Sequence, residues 1–219
     1  MRKILNVRSL MLLIILLFPS LLYVVLSTGS HNFIKRPIYG PKALSADGDS
    51  IYYKLSGLSF DDCNSQQIEL SSFQNSIILY HFIENKDSVL EKRKASQLIA
   101  LHDRFKEKKD IKIVSIVLGE ASQVCHFQRE YELDSPQWQV VGFNSHKERL
   151  REKFILNIPV ELKENQWTNL FVLVDNKGRV RTYRDAVQYV EEKALIDDIK
   201  ILKAEEFIPK KKKKKDAAE

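Results

Sequence analysis

The sequence predicts an α/β domain of three layers, in which helices pack on a central mixed sheet. Between residues 77 and 154, short apolar segments alternate with longer segments that have helical periodicity. From residue 170 onward, two apolar segments flank the hairpin turn Asp175-Asn-Lys-Gly178, and a final helical segment follows. The chain has 219 residues, which is enough for one sizeable hydrophobic core.

The first half of the domain is predicted to contain four strands and one helix. Residues 51–55, 57–60 and 68–70 are predicted as short strands, and the short, mainly apolar run 77–83 as the central strand. A polar turn follows, and residues 88–106 are predicted as a helix. Its apolar side consists of Val89, Leu98, Leu101 and Phe105, and its charged side chains are expected to face water.

The second half continues the alternation. Residues 111–118 are rich in β-branched side chains and are predicted as a strand buried on both faces. A helix capped by Ser122 is expected to run to about residue 133. The remaining elements are a strand at 138–141, a helix at 145–154, a hairpin of 170–174 with 179–183, and a last helix at 190–205.

The N-terminus is predicted to be a membrane element. Residues 10–27 are almost entirely apolar, basic residues precede them, and no further basic residue occurs before Lys35. The positive-inside rule then places residues 1–9 in the cytoplasm and the domain on the outer, periplasmic side of a single-pass anchor. The apolar run is slightly shorter than the ~20 residues that span a bilayer. A cleaved signal peptide, with Ser27 and Gly29 before the cut, therefore remains the alternative.

The segments on either side of the domain are predicted to be irregular. Residues 28–50 contain several Gly and Pro residues and are predicted as a linker to the domain, which occupies 51–207. Residues 208–219 include six consecutive lysines and are predicted as a disordered polybasic tail, either a solubilising segment or one that contacts anionic lipid or an acidic partner. This run accounts for the net charge of +6, so the rest of the chain does not suggest nucleic-acid binding.

Several segments resemble one protein family when they are taken in order. The sequence FVLVDNKGRVRTY at 171–183 precedes a helix that contains residues 196–202, and YGPK at 39–42, the strand region 68–73 and the Trp-led strand 138–142 come before it. Over residues 37–202 this order resembles the Sco/SenC proteins. The proteins of this family are membrane-anchored copper chaperones that act in respiratory oxidase assembly. The resemblance therefore implies a thioredoxin-like fold and a role of this kind.

The chain departs from this family where the metal would bind. The family holds copper with two cysteines in a CxxxC motif and with a distant histidine. By resemblance, Lys86 and Leu90 occupy the two cysteine positions, and the histidine position falls at or beside Trp167. These residues cannot replace thiolate and imidazole ligands. We therefore expect no catalytic, cofactor-binding or metal-binding residues at this loop, and no dithiol chemistry there.

The two cysteines of the chain lie elsewhere. Cys63 is in a polar turn, and Cys125 is near the start of a predicted helix and is followed by His126. In an oxidising compartment the two could form a structural disulfide, although their spacing in the sequence says nothing about their distance. A relocated thiol or Cu(I) site that uses Cys125, Cys63 and His126 is the functional alternative to an inert cysteine beside a surface histidine.

The other polar residues are predicted to have structural roles. His81 lies within the central strand and is expected to be a satisfied core or edge residue. His102 and the pair Asp197–Asp198 are expected to be solvated, because neighbouring residues on a helix point apart. No zinc-enzyme spacing or nucleophile elbow is present.

Two functions remain after the sequence analysis. In the first, which we favour, the chain is a non-catalytic binding or assembly factor of the cell envelope with a protein partner and no cofactor. In the second, it is a copper or thiol-redox protein of oxidase assembly that uses Cys125, Cys63 and His126.

Overall fold

The structure is a computed structural model that describes residues 7–28, 35–46, 48–73, 75–84, 89–133, 135–159, 162, 164–188 and 190–206. The strands in chain order are β1 Lys42–Leu44, β2 Ser50–Tyr52, β3 Ser59–Asp61, β4 Gln67–Glu69, β5 Ile77–Ile83, β6 Ile111–Val117, β7 Trp138–Gly142, β8 Leu170–Val174 and β9 Val180–Asp185. The helices are α1 Val7–Thr28, α2 Val89–Phe105, α3 Ala121–Glu130, α4 Lys147–Phe154 and α5 Val190–Glu206, with 3-10 turns at Leu70–Phe73 and Glu164–Asn169.

A mixed sheet of seven strands forms the centre of the domain, in the order β4-β3-β7-β6-β5-β8-β9. The strands β5, β6 and β7 are parallel, whereas β8 is antiparallel to β5 and the pairs β8–β9 and β3–β4 are antiparallel hairpins. The strands β1 and β2 form a separate antiparallel pair. All seven residues of β5 are buried, which explains why every residue except His81 is apolar or aromatic.

The two faces of the sheet have separate cores, because successive side chains of β5 point to opposite sides. One face, with Ile77 and Leu79, packs on Leu98 of α2 and Leu195 of α5. The other face, with Tyr80 and Phe82, packs on Leu150 and Phe154 of α4. This arrangement confirms the predicted α/β domain with its mixed sheet, C-terminal hairpin and last helix.

Three local predictions are corrected by the structure. The predicted linker contains a strand, since Lys42–Leu44 pairs with Ser50–Tyr52. The N-cap of α3 is Glu120 rather than Ser122, which lies inside the helix. His102 is half-buried and lies 2.8 Å from the hydroxyl of Ser135, so it is not a purely solvated side chain.

The segment Arg36–Tyr39 is joined to the domain by charged groups that the sequence did not suggest. Arg181 donates to the carbonyl of Arg36 and to the carboxylate of Glu205, both from Nη2. Asp198 is fully buried and contacts Arg36 at 2.5 Å and Arg184 at 2.8 Å. The prediction of a solvated Asp198 is therefore wrong, because two guanidinium groups compensate the burial of its charge.

The helix α1, described by itself, is a 22-residue apolar segment that contains Pro19. Among the residues that the structure describes, no helix combines the length and the hydropathy needed to cross a bilayer. The predicted transmembrane anchor at 10–27 is therefore not supported. The polybasic tail falls within residues 207–219, outside the described residues.

Candidate functional site

The candidate site lies at the carboxyl end of β5, where the sequence predicted the altered loop. In an open α/β sheet this edge is where ligands bind, because the loops after parallel strands converge there. Lys86 falls within residues 85–88, which lie outside the described residues, so its side chain has no structural account. Two segments frame the site: the start of α2 and the 3-10 turns of Glu164–Asn169.

Leu90 lies at the rim of a cleft of about 300 Å³ between these two segments. Its side chain is 41% exposed, and the preceding Val89 is 78% exposed. The cleft has apolar and amide side chains together with one carboxylate. It is lined by Leu90, Leu162, Gln166, Asn169, Leu170, Asp185, Val187 and Gln188.

Trp167 does not line this cleft. It is buried, with 5% exposure, and its ring packs edge-on against Phe82 with the ring centroids 4.9 Å apart. Its neighbour Gln166 is exposed and faces the cleft that Leu90 also lines. Of the residues at or beside the position that the resemblance gives to the histidine, Gln166 lines the cleft and Trp167 does not.

The residues at these positions do not fit a copper ion. Cu(I) prefers thiolate, thioether and imidazole donors. Leu90 has no donor atom, Trp167 has only an N–H donor that is buried in the core, and Gln166 offers a hard amide oxygen. Among the described residues, no group of three or more His, Cys, Asp or Glu side chains is placed to hold a metal ion.

Beneath the cleft, the ammonium of Lys94 joins the two segments that frame it. Its Nζ atom donates to the carbonyl oxygens of Phe82 at 3.0 Å and of Thr168 at 3.1 Å, and lies 2.7 Å from Oε1 of Glu91. These three acceptors match the three protons of an ammonium group. The Lys94 side chain is fully buried, and a buried positive charge needs a negative partner. The carboxylate of Glu91 is that partner.

Lys94 and Glu91 correct the sequence prediction that all charged residues of α2 face water. Both are buried, and they lie three residues apart on one side of the helix. Burial raises the pKa of Glu91, but contact with His81 and the charge of Lys94 outweigh burial, so its pKa is lowered overall. Burial lowers the pKa of Lys94, and Glu91 opposes this effect.

His81 extends the network across the sheet. Its Nε2 lies 3.3 Å from Oε2 of Glu91, and its Nδ1 lies 3.2 Å from the hydroxyl of Ser115, which also accepts from the indole N–H of Trp138 at 3.0 Å. Complete burial lowers the pKa of His81 to about 4, with Glu91 opposing the shift. The ring is therefore neutral at pH 7, and the carboxylate places its proton on Nε2, so Nδ1 accepts from Ser115. His81 is therefore a core residue, as predicted, with Ser115 as the hydrogen-bond partner of Nδ1 and Glu91 in close contact with Nε2.

A second, exposed ion pair ties the same segments from the solvent side. Glu84 follows β5 and accepts from Lys147 of α4 at 2.7 Å and from the hydroxyl of Thr168 at 3.3 Å. The hydrogen bond from Lys147 is the main reason that the pKa of Glu84 is lowered. The loop frame is thus held from both sides by ion pairs rather than by a metal-ligating set.

Cys63 and Cys125 form a disulfide between the β3–β4 turn and α3, with their Cα atoms 4.8 Å apart. Gly142 permits this approach, because a Cβ at this position would come within 3.0 Å of Val124 on α3. His126 is exposed and lies 3.6 Å from Glu130. The structure thus contains the disulfide that the sequence left open.

Comparison with known proteins identifies the fold. No protein-family profile and no curated protein sequence matches the chain. BsSco, described as a member of the Sco family of cytochrome c oxidase assembly proteins, is 19% identical over 68% of this chain and 93% of its own, with a TM-score of 0.55. A SCO1/SenC family lipoprotein from Bacillus anthracis is 16% identical over 69% and 95%, with a TM-score of 0.56. At these identities the likeness shows the fold alone, and it confirms the predicted thioredoxin-like fold that Sco/SenC proteins share.

Proposed function

We propose that this chain is a Sco-like protein that has lost the copper site and acts as a non-catalytic binding or assembly factor in the cell envelope. The observation that carries the proposal is the use of its cysteines. The sequence contains two, and both are joined in one disulfide that links the β3–β4 turn to α3. No thiolate is then left to supply the metal ligation or the dithiol exchange that a CxxxC loop performs.

The architecture around the altered loop supports a binding role. The ammonium of Lys94 and the carboxylate of Glu84 both bond to Thr168, so the two segments that frame the cleft are held together by the protein's own groups. A cleft held in this way keeps its shape without a bound ion. Its exposed leucine and its amide side chains suit a segment of a protein partner, since apolar anchors and amide hydrogen bonds are the usual elements of such recognition.

The disulfide also supports a location outside the cytoplasm. Structural disulfides persist in oxidising compartments and are rare where thiols are kept reduced. The proposal therefore places the domain on the outer side of the cell membrane, in agreement with the distribution of basic residues around the N-terminal apolar segment.

A Cu(I) titration of the full chain against a chromophoric chelator tests the loss of the metal site. We expect the chelator to keep its copper, both with the intact chain and with the Cys63→Ser/Cys125→Ser variant. Stoichiometric removal of one Cu(I) from the chelator by the intact chain would contradict the proposal. If Cys125→Ser then abolished this binding, the copper function would be assigned to Cys125.

The second candidate is a thiol-redox function of the same disulfide, and its half-buried position favours it. Both cysteines are partly accessible, and they lie at the sheet edge that also carries the candidate cleft, as the pairing of Asp61 with Gly142 shows. Equilibration with glutathione buffers distinguishes the two functions. A disulfide that stays oxidised in strongly reducing glutathione buffers is structural. A disulfide that is reduced in them while the domain stays folded is a redox centre.

A further inference from the structure

We propose that the sheet edge opposite the candidate cleft binds a surface of anionic phospholipid. We call this surface the basic edge and define it by seven lysines around the start of β5, the start of β6 and the β8–β9 turn. They are Lys35, Lys42, Lys54, Lys106, Lys108, Lys109 and Lys177, all of which are exposed.

The topology of the sheet brings these lysines to one edge. The first residues of β5 and β6 are paired, Ile77 with Ile111. Because β8 is antiparallel to β5, its last residue, Val174, lies beside Ile78, and the β8–β9 turn is therefore at the same edge. Lys106, Lys108 and Lys109 belong to the connection between α2 and β6, and Lys177 belongs to the β8–β9 turn.

Contacts within the domain bring the remaining lysines to this turn. The amide of Leu55 donates to the carbonyl of Gly178 at 2.8 Å, which places the adjacent Lys54 at the turn. The ammonium of Lys42 lies 5.7 Å from the ring centroid of Tyr52, and the guanidinium of Arg179 lies 5.9 Å from the same centroid.

Most carboxylates at this edge are neutralised within the protein. Four of them have basic partners: Asp110 and Glu206 contact Lys203, Asp175 contacts Arg179 and Arg181, and Glu205 contacts Arg181. Asp103 lies 3.6 Å from Lys106, and Glu107 is exposed beside it. The seven lysines therefore leave this edge with a clear excess of positive charge.

Most arginines and most lysines at this edge differ in their contacts. Three arginines, Arg36, Arg179 and Arg181, are used in internal ion pairs. Apart from Arg104, which is exposed at the end of α2, lysines supply the exposed positive charge. A guanidinium suits a fixed, bidentate partner, whereas a lysine is a point charge on a flexible stem. A row of flexible point charges fits a fluid layer of phosphate headgroups better than it fits a partner with fixed geometry.

Both ends of the domain meet at the basic edge. The amide of Arg36 donates to Oε1 of Glu205 at 3.0 Å, so the segment that leads into the domain lies against the end of α5. The described chain ends at Glu206, and the run Lys210–Lys215 begins four residues later in the sequence. In the sequence, these six lysines lie within ten residues of Glu205. Near an anionic membrane surface, each basic residue improves binding by about 1 kcal/mol, or roughly fivefold.

The other edge is mixed in charge, because exposed carboxylates lie there together with basic residues such as Lys92 and Lys147. Asp61, Asp62, Glu84 and Glu120 lie at or beyond the carboxyl ends of β5–β7 and of the neighbouring β3. A domain with its basic edge on an anionic surface therefore presents the candidate cleft away from the lipid. The inference goes beyond the proposed function and does not require it.

Co-sedimentation of the full chain with vesicles tests the proposal. The measured quantity is the ratio of partitioning onto phosphatidylcholine vesicles with and without phosphatidylglycerol, because the apolar N-terminal segment contributes to both equally. The edge variant is Lys54→Gln/Lys108→Gln/Lys177→Gln. The matched control removes three exposed basic residues near the starts of α2 and α5, at the other edge, in Lys92→Gln/Arg93→Gln/Lys193→Gln. A third variant replaces Lys210–Lys215 by glutamine.

We expect the intact chain to prefer anionic vesicles and to lose this preference at high salt. The edge variant should lower the ratio by at least about tenfold, the control by less than about threefold, and the tail variant by more than the control. Equal binding to both vesicle types, or equal effects of the edge and control variants, would overturn the proposal. So would a tail variant that abolishes the preference while the edge variant leaves it unchanged. Tighter binding to RNA or to polyglutamate than to the vesicles at the same salt would assign the edge to a macromolecular partner instead.

Discussion

The ammonium of Lys94 donates to the carbonyl oxygen of Thr168 at 3.1 Å, although 74 residues separate the two in the sequence. This bond joins α2 to the 3-10 turns before β8, which are the two segments on either side of the candidate cleft. Lys94 therefore holds the frame of the site from within the core. A lysine of the protein itself therefore connects these two segments.

Removal of the Lys94 charge should destabilise the fold strongly. In Lys94→Met the carboxylate of Glu91 remains buried without its cation, and two carbonyl oxygens lose their donor. We expect the free energy of unfolding in urea to fall by about 3–5 kcal/mol. Lys92→Met, at an exposed position of the same helix, should change it by less than about 0.5 kcal/mol.

A companion variant separates the ion pair from simple loss of packing. Glu91→Leu/Lys94→Met removes both charges, so it should recover part of the stability that Lys94→Met loses. If Lys94→Met cost less than about 1 kcal/mol, or if the double variant were no more stable than the single one, the ion pair would not be what holds the frame.

His81 should make the stability depend on pH in a defined window. Its pKa is about 4 in the folded chain against an ordinary value of 6.5, because burial disfavours the charged ring. As the pH falls below 6.5, the unfolded chain takes up the proton first, so stability is lost down to about pH 4. The loss should reach ~3 kcal/mol. Glu84, Glu91 and Asp175 have lowered pKa values, and their contributions are lost below the ordinary carboxylate range.

The measurement is the difference in urea stability between pH 7 and pH 5, where His81 titrates in the unfolded chain and the carboxylates remain largely ionised. His81→Gln should make this difference much smaller. The control His146→Gln changes an exposed histidine and should preserve it. An unchanged difference in His81→Gln would assign the pH dependence to another group.

The disulfide should contribute strongly to stability. It closes a loop of 62 residues between Cys63 and Cys125. The chain-entropy account gives about 4 kcal/mol for a loop of this length. Cys63→Ser/Cys125→Ser should therefore unfold at a lower urea concentration, and the reductant dithiothreitol should destabilise the intact chain but not this variant. Thiol labelling of the denatured, unreduced chain should find no free thiol, and two labelled cysteines would contradict the bridge.

Thiolate and imidazole donors introduced beside the cleft should create a copper site. Leu90 and Gln166 line the same cleft, and the resemblance places Lys86 at the first cysteine position. We expect Lys86→Cys/Leu90→Cys/Gln166→His to bind one Cu(I) more tightly than Lys86→Cys/Leu90→Cys, by at least about tenfold or ~1.4 kcal/mol.

The matched control moves the imidazole by one residue, in Lys86→Cys/Leu90→Cys/Trp167→His. Because Trp167 is buried against Phe82, this change should destabilise the core and add no affinity for copper. Tighter copper binding by this control than by the Gln166→His variant would show that the histidine position is Trp167 itself.

Local sequence patterns were sufficient to predict the order of the main strands and helices. The apolar run of β5 and the β-branched run of β6 predict buried strands, and Asp175-Asn-Lys-Gly178 predicts the β8–β9 hairpin, as observed. The resemblance to Sco/SenC proteins predicted the fold because it rests on the sequence order of these segments. The short strand β1 was missed, since three exposed residues show no periodicity.

Charged residues were the main source of error. Glu91, Lys94 and Asp198 have the sequence pattern of a solvated helix face, yet all three are buried. Arg36 and Arg184, from distant segments, compensate the charge of Asp198. Glu91 and Lys94 compensate each other, and Lys94 also donates to carbonyl oxygens of distant segments. Helical periodicity does not report such partners. The spacing of Glu91 and Lys94 at i and i+3 was the one available signal, and it is equally common on exposed helices.

The sequence by itself determined which side chains occupy the altered loop, and therefore that thiolate and imidazole donors are absent there. It also determined the alternation of strands and helices, because an element that buries one face has apolar residues at regular intervals in the sequence. Only the tertiary structure decided that Cys63 meets Cys125, that Lys94 joins Phe82 to Thr168, and that Gln166 rather than Trp167 faces the cleft. The physical reason is that these contacts depend on distances between remote segments, which are fixed only when the two cores of the sheet have packed.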